Sequence, residues 1–219
     1  MDNHDRILID KTAEYVKKKM LYESTGHDWW HVLRVQSMAV MLAQAYPQAN
    51  QAHIEFAALL HDLGDYKVTG SSEAEEGVLR SAMDELGFES ALKEDILSII
   101  DKVSYSKNVG LTQVLSMEAQ ITQDADRLDS LGAIGIARVF ATSAKAGRSL
   151  YDPTQGTKEY ASVGERRAST SSAIHHFDEK LLLLKDLLNT PEAKKIGEKR
   201  HQYMLDYLQE FHKEWTGKR

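Results

Sequence analysis

The stretch AALLHDLGDY, residues 57–66, places a histidine and an aspartate side by side at the end of an apolar run. Because Ala57 to Leu60 are all apolar, we expect the His61-Asp62 pair to point into the interior. A buried imidazole beside a buried carboxylate needs hydrogen-bond partners or a metal ion. The pair therefore predicts a polar site inside the core, and the rest of the chain is interpreted around it.

Two other stretches can supply partners for this pair. One is HDWWHVLRV, which contains His31, and the other is QDADRLDSLG, which contains Asp126. A lone histidine of this kind is more often structural, but a second histidine and two aspartates at predicted helix ends favour a metal site. Nitrogen and oxygen ligands together suit one divalent cation. The predicted set is His31, His61, Asp62 and Asp126.

Length and composition predict one all-α domain. The chain has 219 residues, 42% of them hydrophobic, which is enough for a single domain with a real core. Only three prolines occur, and few segments alternate with the period of a strand. We expect one domain over residues 1–219. Its parts would be a metal-site core over about 20–135, a loop or lid over 147–163, and C-terminal helices over 169–215.

Charge and residue usage exclude several classes of protein. The formal net charge of −6 argues against a general nucleic-acid binder, which would need a basic face. The absence of cysteine excludes disulfides and thiolate zinc sites. The charged N-terminus resembles neither a signal peptide nor a membrane span. These features predict a soluble cytoplasmic protein without nucleic-acid or membrane partners, and they leave a homodimer open.

Apolar periodicity and capping residues predict the individual helices. The first would bury Ile7, Leu8, Tyr15, Val16 and Met20, and the helix that carries Asp126 would merge into the stretch LGAIGIARVFATSA. Other helices are expected over Trp30–Ala45, from Gln51 to the His61-Asp62 pair, from a Ser72–Glu75 capping box to Gly87, over Ser90–Val103, over Ser169–Leu188 and over Pro191–Trp215.

Four motifs, taken in order, resemble the HD-domain metal-dependent phosphohydrolases and, within them, the YpgQ-like subgroup of bacterial single-domain proteins. They are HDWWHVLRV, LLHDLGD, QDADRLDSLGAIGIAR and HHFDEKLLLLKDLLNT, and they extend over nearly the whole chain. The resemblance implies an all-helical fold with a central metal, and hydrolysis of phosphate esters or anhydrides, usually of nucleotides. Carried over residue by residue, it makes the four predicted residues the metal ligands.

The resemblance also suggests roles for neighbouring residues. Asp65 is three residues beyond Asp62, where related members often have an acidic residue, and it is interpreted as the general base or proton shuttle. Mn²⁺ is the preferred ion, with Mg²⁺, Fe²⁺, Ni²⁺ and Co²⁺ as alternatives. Cationic groups near the ligands would bind substrate phosphates. These are His27, Arg34, Lys67 and Lys102, of which His27 would share a helix face with His31.

Some related activities fit this sequence poorly. The run HDLGD replaces the HDIGK of the cyclic-dinucleotide phosphodiesterases, and no GYP motif is present. No histidine lies between His61 and Asp126, so a two-metal site of the multi-histidine type is not expected. The preferred function is cleavage of a nucleoside triphosphate to monophosphate and pyrophosphate. A 5′-nucleotidase and a non-catalytic nucleotide-sensing module are the alternatives.

Overall fold

A computed structural model of the protein describes residues 1–22, 26–64, 75–103, 114–158, 160 and 170–218. All regular structure in these ranges is helical, which confirms the predicted all-α class. The helices are α1 (Asn3–Met20), α2 (Trp29–Ala43), α3 (Gln51–Leu60), α4 (Glu75–Leu86), α5 (Ser90–Val103), α6 (Met117–Asp129), α7 (Gly132–Lys145), α8 (His175–Glu179), a 3-10 helix (Leu181–Leu187) and α9 (Pro191–Trp215). The chain divides into two compact units, Met1–Asp126 and Arg127–Arg219.

Helix α3 is the centre of the first unit. It packs against α1, α2 and α5, and eight of its residues are buried: Ala52, Ile54, Glu55, Phe56, Ala57, Ala58, Leu59 and Leu60. Asn50 begins the helix, because its side chain accepts hydrogen bonds from the backbone of Ala52 and His53. A helix that is buried on every side ends in the interior, so the two residues that follow it, His61 and Asp62, are buried as well.

The N-terminal helices differ from the sequence prediction in detail. Helix α1 buries Leu8, Val16 and Met20 as expected, but Ile7 is 48% exposed and Ile9 is buried instead. The reason is that Ile9, Val16 and Met20 follow the helical repeat along one face, which leaves Ile7 on the opposite side. Helix α2 begins at Trp29 and ends at Ala43 rather than at Ala45.

In the second unit, two predicted continuous helices are interrupted. The helix with Asp126 was expected to continue into the next, but α6 ends at Asp129 and α7 begins at Gly132, whose φ of 73° is not helical. The predicted helix over Ser169–Leu188 is wrong: residues 161–169 lie outside the described ranges, and Lys180 separates α8 from the 3-10 helix. The φ of −146° at Lys180 cannot continue an α-helix.

Other predicted boundaries agree with the structure. Helices α5 and α9 have the predicted bounds, and Pro191 occupies the first turn of α9 with Thr190 as its N-cap. Ser72 lies outside the described residues, so its capping box is not described. None of the described helices is long and apolar enough to cross a membrane.

The segment 147–163, predicted as a loop or lid, contains no helix or strand over 147–158 and at 160. Its first part is tied down locally: the Ser149 and Leu150 carbonyls accept hydrogen bonds from the backbone of Ala173 and Ile174. The ring of Tyr151 also lies against Trp215. Residues 159 and 161–163 lie outside the described ranges, and both the lid and the single-domain organisation stay predictions.

Candidate metal centre

Two helix ends place the candidate histidines. Asp28 is the N-cap of α2, and its side chain accepts a hydrogen bond from the backbone N–H of His31 at 2.9 Å. His31 therefore lies in the first turn of α2, with 0% exposure. His61 is the C-cap of α3, so the adjacent Asp62 is no longer constrained to helical spacing and both side chains can face one point. This agrees with the prediction that the pair lies at a helix end.

The four predicted ligands meet around the His31 ring. His31 Nε2 lies 3.2 Å from His61 Nε2 and 3.2 Å from Asp62 Oδ2. Asp126, from α6, places its Oδ1 3.5 Å from His31 Nε2 and 3.8 Å from His61 Nε2. Ligand atoms about 2.1 Å from one octahedral ion lie roughly 3 Å from their neighbours. The observed separations are close to that value, so the arrangement can hold a single ion.

The hydrogen bond of the His61 ring fixes which nitrogen faces the centre. His61 Nδ1 lies 2.8 Å from the carbonyl oxygen of Ala58, which can only accept, so Nδ1 carries the proton. Neutral His61 then presents the lone pair of Nε2 to His31 and to the carboxylates. Metal-bound histidines are usually oriented in this way. The donor set therefore fits a divalent cation on its own chemistry.

Asp62 is held in its charged form. Burial alone would raise its pKa, but the nearby His61 and His27 rings and the hydrogen bonds from His27 and His31 outweigh that effect. The result is a pKa well below the usual range. Ionised Asp62 can therefore act as an anionic ligand in a buried place, where a cation would offset its charge.

The residues form two overlapping groups. His27, His31 and Asp62 make one, and His31, His61 and Asp126 make the other. His31 is a member of both groups, and its Nε2 lies within 3.5 Å of ligand atoms of Asp62, His61 and Asp126. A neutral imidazole nitrogen has a single lone pair, so it can bind only one ion. The two groups therefore describe one ion position rather than two.

His27 is placed differently from the sequence prediction. We expected it on the same helix as His31, but α2 begins at Trp29 and His27 precedes the N-cap. Its ring still reaches the site, because Nδ1 lies 2.7 Å from Asp62 Oδ2 and the His27 and His31 ring centroids are 5.3 Å apart. His27 thus lies beside Asp62 and His31 although it does not share a helix with His31.

The remaining predicted site residues are only partly described. Asp65 and Lys67 lie outside the described residues. Arg34 is half-buried, one turn beyond His31 on α2. Lys102 is half-buried in the last turn of α5, where its carbonyl oxygen accepts a hydrogen bond from Gln123 Nε2 at 2.7 Å. The catalytic and phosphate-binding roles of these residues stay predictions.

Sequence reasoning missed two supporting residues. Gln123 lies three residues before Asp126 on α6, and its bond to Lys102 joins the end of α5 to the helix that carries Asp126. The i, i+3 spacing could have indicated it. The Asp28 cap was also missed, although an aspartate just before an apolar helix is a common N-cap. Of the two tryptophans that begin α2, Trp29 is buried and Trp30 is 54% exposed.

Comparison with known proteins gives two sequence findings. The model of the HD domain family matches residues 29–131, the part that contains all four predicted ligands. YpgQ of Bacillus subtilis, an uncharacterized protein, is 35% identical over 212 residues, covering 95% of this chain and 94% of YpgQ.

The solved structures that resemble this chain include an HD-superfamily hydrolase. An HD-superfamily hydrolase of Bacillus thuringiensis is 40% identical, with a TM-score of 0.71 over 97% of this chain and 98% of its own. A Lactobacillus plantarum protein is 33% identical, with a TM-score of 0.87 over 96% and 98%. The B. subtilis YpgQ structure, solved in complex with ADP, has a TM-score of 0.71 at 32% identity over 94% and 97%. The fold of the chain is thus the fold of HD-superfamily hydrolases.

Proposed function

Because the chain belongs to the HD-superfamily hydrolases, we propose that it is a nucleoside triphosphate pyrophosphohydrolase, which converts NTP or dNTP to the monophosphate and pyrophosphate. The observation that carries the proposal is the meeting of two imidazole nitrogens and two carboxylates at His31 Nε2. ADP bound to the similar YpgQ supports a nucleotide as the ligand. Both observations favour phosphate chemistry on a nucleotide.

His31, His61, Asp62 and Asp126 would hold one divalent ion, with Mn²⁺ preferred. Mixed imidazole and carboxylate ligands suit Mn²⁺, while two aspartates balance its charge. Such an ion, when bound, lowers the pKa of a coordinated water and polarises a phosphoryl oxygen. Ionised Asp62 and the bare Nε2 of His61 are the features of the chain that prepare this place for it.

The remaining roles belong to side chains around the ligands. Asp65, three residues beyond Asp62, accepts the proton of the attacking water and can return it to the leaving pyrophosphate. Water adds to the α-phosphorus while the bond from that phosphorus to the bridging oxygen breaks, so one water is consumed per nucleotide. Arg34, Lys67 and Lys102 bind phosphate oxygens, for which arginine offers two donors and lysine a compact charge.

An assay that follows phosphate and pyrophosphate separately tests the proposal. Purified protein with Mn²⁺ is given nucleoside triphosphates, their deoxy forms and monophosphates. We expect pyrophosphate from the triphosphates and no phosphate from the monophosphates. Phosphate from monophosphates alone would assign a 5′-nucleotidase instead. Binding of nucleotide without any product would assign a sensing module.

The variant Asp65→Asn tests the proton role within the same assay. It removes the basic oxygen and preserves the side-chain shape. General acid–base help is typically worth about 10²- to 10⁴-fold, so we expect kcat to fall by at least about 10²-fold. Mn²⁺ content should stay at the wild-type level, because Asp65 is not among the proposed ligands. A metal-replete variant with wild-type kcat would remove Asp65 from the mechanism.

A further inference from the structure

We propose that His27 is a positioning residue: it donates a hydrogen bond that fixes the Asp62 carboxylate for metal binding, and it does not contact substrate phosphate. The inference rests on the metal centre of the proposed function but not on the reaction. It replaces the phosphate-binding role that the sequence suggested for His27.

The distance between His27 and Asp62 differs from the other distances in the cluster. His27 Nδ1 and Asp62 Oδ2 are 2.7 Å apart, whereas the separations around His31 Nε2 are 3.2 to 3.5 Å. The shorter distance is that of a hydrogen bond to a charged acceptor. The longer ones resemble the spacing between neighbouring ligands of one ion. His27 therefore contacts Asp62 directly, as a donor.

The oxygen that His27 contacts is also the oxygen beside His31. Asp62 Oδ2 lies 3.2 Å from His31 Nε2, while the other oxygen, Oδ1, lies 3.6 Å from His61 Nε2. A carboxylate oxygen has two lone pairs, so Oδ2 can accept from His27 with one and keep the other for a cation. The hydrogen bond thus holds the plane of the carboxylate without occupying the position of the ion.

His27 is itself held in place. It directly precedes Asp28, the residue that caps α2 through the backbone N–H of His31. Its side chain is only 14% exposed, and its ring meets the His31 ring edge-on at 75°. A histidine packed in this way has few rotamers available, so it can orient a carboxylate at little cost in entropy.

A fixed second contact of this kind has a known effect on metal binding. Partners that orient a ligating group typically account for about 10- to 100-fold in metal affinity. A phosphate contact would behave differently, because its loss leaves the affinity for the metal alone unchanged. Metal affinity measured without nucleotide therefore separates the two roles, and it does so whatever the protein hydrolyses.

The experiment measures the Mn²⁺ dissociation constant by competition between metal-loaded protein and a chelator, with no nucleotide present. The variants are His27→Ala, which removes the donor, and His27→Asn, whose amide nitrogen lies near the position of Nδ1. His53→Ala, at a histidine of α3 outside the cluster, is the control. We expect the dissociation constant to rise about 10- to 100-fold in His27→Ala. His27→Asn and the control should stay within about 3-fold of wild type.

The affinity for inorganic phosphate, measured on the Mn²⁺-loaded protein, provides the contrasting result. Unchanged Mn²⁺ affinity in His27→Ala together with weaker phosphate binding would overturn the inference and restore the phosphate role. Equal loss of Mn²⁺ affinity in the Ala and Asn variants would overturn it as well, because the donor would then not matter. If His27→Ala does not fold, His27→Gln takes its place, since its amide reaches one carbon too far. The Gln variant should lose Mn²⁺ affinity where the Asn variant keeps it.

Discussion

Asp62 and Asp129 are both buried aspartates, each 5% exposed, but their surroundings differ. Asp129 Oδ2 accepts a hydrogen bond from Arg138 at 3.0 Å, so a permanent cation of the chain balances its charge. Asp62 instead has imidazole rings beside it in the described part of the chain, those of His27, His31 and His61. An imidazole that faces a carboxylate can also face a metal, whereas a guanidinium ion takes the place of one.

Two buried histidines, His61 at the candidate metal centre and His201 in the second unit, also differ in their surroundings. His61 Nδ1 donates to Ala58, which turns Nε2 towards His31. His201, on α9, has no hydrogen-bond partner at Nδ1 among the described residues. Burial of a polar group is therefore a poor guide to function. Convergence of several lone pairs on one point is the better one.

The largest expected effect comes from removing a proposed metal ligand. His61→Ala should abolish stable Mn²⁺ binding, because it removes the nitrogen that faces His31 and Asp126. The nucleotide hydrolysis that we propose should fall by on the order of 10³-fold or more, since a Lewis-acid metal is worth several kcal/mol. Metal analysis of the purified protein and steady-state kinetics measure the two effects.

His175→Ala is the matched control for this change. His175 is also buried, but its Nδ1 is bound to the Ser172 hydroxyl at 2.8 Å and it belongs to the second unit. The variant should retain its metal even if it loses stability. If the two variants kept equal amounts of Mn²⁺, His61 would not be a ligand.

The second prediction concerns Asp129, whose charge is balanced by Arg138. Asp129→Asn removes the charge that Arg138 needs, and Arg138 is itself mostly buried. Breaking a buried ion pair from one side typically costs about 3–5 kcal/mol, so the free energy of unfolding in urea should fall by about that amount. Mn²⁺ affinity of the folded protein should change little, whereas Asp62→Asn, which removes the charge of a proposed ligand, should weaken it.

The double variant Asp129→Leu with Arg138→Met sharpens the same point. Apolar residues of similar volume often replace a buried ion pair at little or no cost. We therefore expect the double variant to recover most of the stability that Asp129→Asn loses. A double variant as unstable as the single one would mean that Asp129 has a role beyond its charge.

The third prediction tests whether a destabilising change in the second unit leaves metal binding intact. A Cβ atom on Gly135 would lie 2.2 Å from the carbonyl oxygen of Ser130, which is backbone and cannot move aside easily. Overpacking of this kind costs about 1–3 kcal/mol, so Gly135→Ala should lower the melting temperature. Gly77→Ala, in α4 with open space around it, should instead stabilise by about 0.5–1 kcal/mol. Both variants should bind Mn²⁺ as the wild type does.

The sequence predicted which four polar residues lie close together better than it predicted the helices that carry them. His31, His61, Asp62 and Asp126 are brought together as expected, because polar residues next to buried apolar runs have few places to go. The predicted start of α9 at Pro191 was accurate, because proline is favoured in a first helical turn. Their ligand role still depends on the metal measurements above.

The structural features that the sequence did not predict depend on tertiary contacts. The stretch DADRLD offered three aspartates, and nothing local distinguished Asp126, near two imidazoles, from Asp129, beside Arg138. The position of His27 was not predicted either, because His27 precedes the N-cap Asp28 and the helical repeat does not apply there. The break at Lys180 follows from its backbone angles and has no glycine or proline to signal it.

The smallest expected effect concerns His201, the buried histidine whose Nδ1 has no hydrogen-bond partner among the described residues. Burial lowers the pKa of His201, and the positive charge of Lys185 adds to this, while Glu198 and Asp186 oppose it. A histidine whose pKa is lower in the folded state stabilises fully above its unfolded pKa of about 6.5 and loses that contribution as the pH falls. The unfolded chain then binds the proton more readily than the folded one.

The free energy of unfolding of the wild type should therefore decline between about pH 7.5 and pH 5.5, partly because of His201. His201→Gln cannot titrate, so its decline over the same range should be smaller, whatever its absolute stability. Urea unfolding of both proteins at each pH gives the difference between the two slopes. Equal slopes for wild type and His201→Gln would mean that buried His201 takes up its proton as easily as it does in the unfolded chain.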